Sequence, residues 1–262
     1  MNRNRTYFVI PIALIAILAI AVLAQAETTQ NGNLRVTVSG KLAPKKLPRT
    51  GVAPISVSVG GQIATTDETL PPTLKTIRIE LNRHGRLDYE GLPTCNYGRI
   101  QPGSSSHALA GCRSSLVGEG TFSADITLSG QEPYPTQGKL LVFNSTKGGR
   151  PVLYGHIYAP HPFATSFVII FKVSRLKKGT FGIALNAPLP KAMKSWGRLT
   201  GLSMTLDRRF NYKGQSHSYI SSGCPAPKGF SATPFPLART SFAFDGGKAL
   251  SSVLTGECRV RG

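Results

Sequence analysis

Two side chains able to do acid–base chemistry, Glu80 and Asp88, flank a turn-like His84-Gly85, with Glu90 two residues further on. On facing strands, a pair of carboxylates about 5 to 9.5 Å apart would supply the general acid and the nucleophile or base of a glycoside hydrolase. The same acids interleave with Arg78, Arg83 and Arg86, which is also the pattern of an exposed hairpin whose charges pair across strands. Glu119, between Gly118 and Gly120, is a further isolated carboxylate, read either as catalytic or as an exposed strand residue.

Trp196 is the single tryptophan and stands in Lys194-Ser195-Trp196-Gly197-Arg198, a loop ahead of a strand. With Lys194 and Arg198 it forms a candidate binding set, an aromatic platform beside two cations. The alternative is a large amphipathic side chain capping the core. Of the histidines His84, His107, His156, His161 and His217, only His156 and His161 are close, and no acid accompanies them. A metal needs three or more converging ligands, so the pair reads as a strand residue and a loop residue, and no metal or cofactor is expected. The sequence has no Gly-x-Ser-x-Gly elbow, no P-loop, no dinucleotide fingerprint and no His-Glu-x-x-His, which removes support for the enzyme classes built on them.

The elements that must carry these residues are strands. Apolar side chains alternate at Leu34, Val36 and Val38, at Ile55, Val57 and Val59, and at Ile77, Ile79 and Leu81, the period of a half-buried antiparallel sheet. Strand-like runs follow at 139–144, 152–159, 165–173, 180–185, 199–206, 217–221, 240–244 and 249–254. Gly and Pro punctuate them; Asp245-Gly246-Gly247 reads as a hairpin turn, and His84-Gly85 as another closing on the strand that ends at Leu81. Residues 104–116 break the pattern and predict a short helix capped by serine. About eleven strands and one short helix predict an all-β fold, a two-sheet antiparallel sandwich of jelly-roll or Greek-key type.

Residues 6–26 carry no charge, follow Arg3 and Arg5, and end in Ala24-Gln25-Ala26, the layout of a secretory signal with its small-x-small cleavage site. Cleavage after Ala26 would leave a polar lead-in at 27–51 and one β domain at 52–262, with no membrane span; the alternative is a retained anchor. Four cysteines in an exported chain read as two disulfides. The sequence-local pairing joins Cys95 to Cys112 and Cys224 to Cys258, and the absence of a Cys-x-x-Cys pair argues against zinc. Leu47-Pro48-Arg49-Thr50-Gly51 matches a sortase signal by letter, but that signal acts near a C-terminus ahead of an apolar segment and a basic tail. Asn144-Ser145-Thr146 is formally a glycosylation acceptor.

Removing Arg3 and Arg5 with the signal leaves 29 Lys and Arg against 12 Asp and Glu, a net charge of +17. Such a field attracts anionic polysaccharides, cell-wall polymers, phospholipid headgroups or stray nucleic acid without defining a partner, and no motif specifies nucleic acid. The cations fall in small groups such as Arg83 with Arg86 and Lys177 with Lys178, the ordinary look of a solvated surface.

Segments 65–95 (TTDETLPPTLKTIRIELNRHGRLDYEGLPTC), 108–120 (ALAGCRSSLVGEG), 176–190 (LKKGTFGIALNAPLP) and 224–244 (CPAPKGFSATPFPLARTSFAF) resemble uncharacterised exported proteins of high-GC Gram-positive bacteria. That resemblance implies an exported, disulfide-bonded, β-rich protein and carries no catalytic residue. The function expected from the sequence is a non-enzymatic envelope or secreted protein that binds an anionic or polysaccharide partner. A carbohydrate-active enzyme and a structural envelope protein are the alternatives.

Overall fold

The computed structural model describes residues 25–261, so all but Gln25 and Ala26 of the leader read at residues 1–26 lies outside the described residues, and those two open β1. The chain opens with β1 (Gln25–Asn31), β2 (Leu34–Ala43), the two-residue β3 (Lys46–Leu47) and β4 (Ala53–Pro54), β5 (Ser56–Thr65), β6 (Leu74–Asn82) and β7 (Gly85–Leu87). Helix α1 (Ser105–Cys112) precedes β8 (Leu116–Ile126), β9 (Tyr134–Lys147), β10 (Arg150–Ala159), β11 (Thr165–Arg175) and β12 (Phe181–Pro188). Helix α2 (Lys191–Trp196) leads into β13 (Gly197–Leu206), β14 (Arg209–Tyr212), β15 (Gln215–Ser218), β16 (Ile220–Ser222), β17 (Ala232–Phe244) and β18 (Ala249–Val260).

The fold is mostly β, as the alternation predicts, but the long strands do not divide into two sheets. Thirteen strands hydrogen-bond in the single order β1-β2-β5-β13-β8-β9-β10-β11-β12-β6-β17-β18-β3. The ladder is unbroken because β13 pairs along its length with β8 and, over Gly201–Leu206, with β5, joining what would have been separate layers. The sheet curls until β1 runs beside β18 without pairing to it, and the hydroxyls of Thr29 and Ser252 meet at 3.3 Å. Inside lies one continuous core drawing Val36 and Val38 from β2, Val57 and Val59 from β5, Leu153 and Ile157 from β10, and Phe242 from β17. Its voids are water-sized, about 20 Å³ each, and lined mainly by aliphatic and aromatic side chains. The barrel-like interior is therefore packed core where these voids lie. Residues 27–51, expected as a polar lead-in, carry most of β1 and all of β2 and β3, and Leu34 and Leu47 are fully buried in this core.

Strands β9 to β11 are apolar on both faces. Leu140 and Val142 point into the core, while Leu141 and Phe143 join Val152, Tyr154 and Val168 in a second cluster on the outer face. That cluster is roofed by Ile100, Ala108 of α1 and the Cys95–Cys112 disulfide, so the predicted pairing staples a lid over exposed sheet. Ser104 caps α1 as predicted, its hydroxyl accepting from the His107 N–H at 3.2 Å. Asn144 is buried beneath the lid, and its amide donates to the Pro93 carbonyl at 3.1 Å. The sequon is therefore closed to glycosylation in the folded protein.

His156 also lies beneath the lid, fully buried; its Nε2 donates to the Gly103 carbonyl at 3.0 Å, and its Nδ1 has no protein partner. Burial pushes its pKa below the ordinary imidazole value, outweighing the opposing effect of the Gly103 bond. Below about pH 6.5 the unfolded chain takes up a proton that folded His156 refuses, so stability declines from there down to the depressed folded pKa. Wild-type protein is expected to lose more Tm between pH 7 and pH 5 than His156→Gln, measured by thermal melts across that range. Equal slopes would show that His156 is not coupled to folding.

Candidate functional site, a basic cleft

At the end of the curled sheet where β6 and β11 finish, the small sheet β4-β16-β7 closes the opening. The turn expected to fold β7 back on β6 as a hairpin sends it away instead. Strand β7 pairs with β16, while both edges of β6 are taken by β12 and β17. Buried Asn82 fixes this turn: its amide donates to the Pro236 carbonyl at 2.8 Å and its Oδ1 accepts from the His84 N–H at 2.9 Å. The His84 carbonyl accepts from the Ser222 hydroxyl at 3.1 Å, and the Arg83 N–H donates to Thr180 O at 3.0 Å. Gly182 allows that approach, because a Cβ there would lie 2.7 Å from the Arg83 Cα.

Between this turn and the β11–β12 hairpin opens a cleft of about 780 Å³. Its walls carry Arg83, His84 and Arg86 from the turn, Arg175 and Lys177 from the hairpin, and Arg49. No carboxylate lines it. The Arg49 guanidinium is committed to structure, donating to the carbonyls of Ala226, Pro227 and Phe230. The side chains of Arg83, Arg86, Arg175 and Lys177 are exposed, and among the described residues none has a carboxylate within ion-pair distance. Tyr89, also exposed, adds an aromatic edge to the wall. Guanidinium forks converging from segments about ninety residues apart suit bidentate capture of phosphate, sulfate or carboxylate groups.

The carboxylates considered for glycoside hydrolysis each have another place. Glu80 is buried on the outer face of β6, where Arg78 donates to its Oε1 at 2.7 Å and Arg239 holds its Oε2. Burial pushes the Glu80 carboxyl up, but the two guanidiniums outweigh it and hold the pKa below the ordinary value. Asp88 accepts from His217 Nδ1 at 3.0 Å, and the imidazole stacks on Phe210 at 5.4 Å, docking the β14–β15 hairpin. Glu90 is exposed beside Asp88, and Glu119 is exposed on β8. Glu80 and Asp88 are thus held by different partners, Glu80 by two arginines and Asp88 by His217.

Trp196 sits at the far end of the molecule from the cleft. The cleft touches the end of β11 at Val173 to Arg175, whereas Trp196 lies over its beginning, with Thr165 and Phe167. The intervening strand spans about 25 Å. The predicted loop around Trp196 is the helix α2, which turns Met193 into the core and lays Trp196 against its rim with 45 % of the residue exposed. Lys194 is half-buried, and Arg198 stands opposite Asp125 across the β13–β8 pair. The cations that do converge were visible in sequence only as scattered pairs. The signal that marks their region is charge segregation: residues 133–206 hold ten Lys and Arg and no Asp or Glu. Compared with known proteins, the chain matches no family model, no curated sequence and no solved structure.

Proposed function

We propose that this protein is exported and works as a binding protein, without catalysis, whose basic cleft takes an oxyanion-bearing partner of the kind found in acidic polysaccharides and cell-wall polymers. The observation that carries the reading is the convergence of Arg83, Arg86, Arg175 and Lys177 on one large cleft free of carboxylates. Two formed disulfides fit an oxidising compartment, and among the described residues no helix is long and apolar enough to cross a membrane. Cleavage after Ala26 would leave residues 27–31 paired with β2, so loss of the leader is compatible with the sheet.

The test is retention on an immobilised acidic polysaccharide, with elution followed against salt. Arg83→Gln/Arg86→Gln/Arg175→Gln is expected to weaken binding about tenfold or more. Arg35→Gln/Lys41→Gln/Lys191→Gln removes the same net charge from exposed positions outside the cleft and is expected to change it less than about threefold. Equal losses in the two triple variants would mean that net charge, and not the cleft, does the binding.

A further inference from the structure

We propose that the cleft is one end of a longer track and that the ligand is an unbranched polyanion held by several oxyanion groups at once; this rests on the cleft reading above. The cleft is flanked on one side by the β9–β10 tip, where exposed Lys147 and Arg150 pair across the hairpin next to Pro151 of the cleft wall. On the other side it is lined by Ser174 and Gly182, and Ser174 shares the outer face of the sheet with Glu80. Ser174 heads a cross-strand row that continues through Ala184 and Glu80 to Arg239. The adjacent outward row runs Lys172, Asn186, Arg78. Glu80 is the one acid on these rows, and it is buried between two guanidiniums, so the trio presents net positive charge.

Crossing from β10 to β17 covers four strand spacings, about 19 Å. A single phosphate or carboxylate cannot reach across that distance, whereas a linear chain with a charge on every repeat can contact the cleft and the rows together. The region from 133 to 206, which supplies Lys147, Arg150, Lys172, Arg175 and Lys177, has no acid to interrupt such a path. Each further contact releases a bound counterion, so the salt dependence of binding should steepen with the number of groups engaged.

The experiment compares short and long inorganic polyphosphate, and short and long oligogalacturonate, on the wild-type protein by titration at several salt concentrations. In at least one series the long chain is expected to bind about tenfold tighter than the short one, with a steeper salt slope. The series that shows this identifies whether phosphate or uronate is the source. Lys147→Gln/Arg150→Gln/Lys172→Gln should erase that gain while leaving short-chain binding unchanged. Affinity independent of length, or a gain untouched by this triple variant, overturns the track. If short-chain binding is still lost in Arg83→Gln/Arg86→Gln/Arg175→Gln, the cleft reading survives that result. If no chain of either kind binds, both readings fall.

Discussion

Replacing Cys224 and Cys258 with serine is expected to lower the unfolding free energy by about 3–4 kcal/mol, the chain-entropy value for a loop of this length. Both cysteines are fully buried, so no compensating solvation is regained. The bridge ties the segment after β16 to β18, and Cys224 donates its N–H to the Pro48 carbonyl at 2.9 Å. Its neighbour Gly223 lines the cleft and donates to the His84 carbonyl at 3.3 Å. Losing the bridge should therefore loosen the floor on which Arg83 and Arg86 stand, and anion affinity should fall along with stability. Denaturant midpoints and anion titration on the same variant test the two parts; an unchanged midpoint would refute the structural role.

A loss of comparable size is expected from Gly120→Ala. A Cβ at Gly120 would lie 1.8 Å from the Ser203 carbonyl oxygen and 2.9 Å from the Met204 Cα, and one at Gly118 would lie 2.1 Å from the Thr205 oxygen. The obstructing atoms are backbone of β13, so no rotamer change relieves the collision. Strands β8 and β13 would have to separate at the centre of the sheet, costing about 3 kcal/mol or more. Gly98→Ala, whose nearest neighbour is the Asn96 side chain at 3.6 Å, is expected to be nearly neutral and serves as the control. Chemical denaturation of the two variants makes the comparison, and similar midpoints would show that β8 can move.

Most long strands were legible, β2, β5 and β6 by alternation and β9 to β11 as continuous apolar runs of strand length. The α1 cap was legible in Ser104, and the β17–β18 turn in Asp245-Gly246-Gly247, since both depend on local chemistry. The local disulfide pairing also matches, because each bridge closes a short stretch of chain. What escaped was tertiary. Three strands of two or three residues, β4, β7 and β16, are too short to show a period, yet β7 lines the cleft and its pairing with β16 carries it away from β6. The run Leu140 to Phe143 shows that a strand is buried on both faces but not what covers the outer one. Helix α2 is six residues long, below the length at which periodicity is informative. Arg83, Arg86, Arg175 and Lys177 looked like separate solvated groups because only the turn fixed by Asn82 and the β11–β12 hairpin bring them together.

The meeting of β1 with β18 has a consequence for the order in which the molecule can assemble. Thr29 lies 223 positions before its hydroxyl neighbour Ser252, so β1 waits for β18 before the sheet can curl shut. A chain emerging amino end first can form the β1–β2 hairpin early, but its apolar inner face has no opposite wall until β17 and β18 arrive. Contacts this distant along the chain are slow to form, since the entropy of a long loop is lost before they contribute. Late closure of this kind would keep the chain threadable if it is exported as proposed, and would place compaction after the disulfides have their partners in reach.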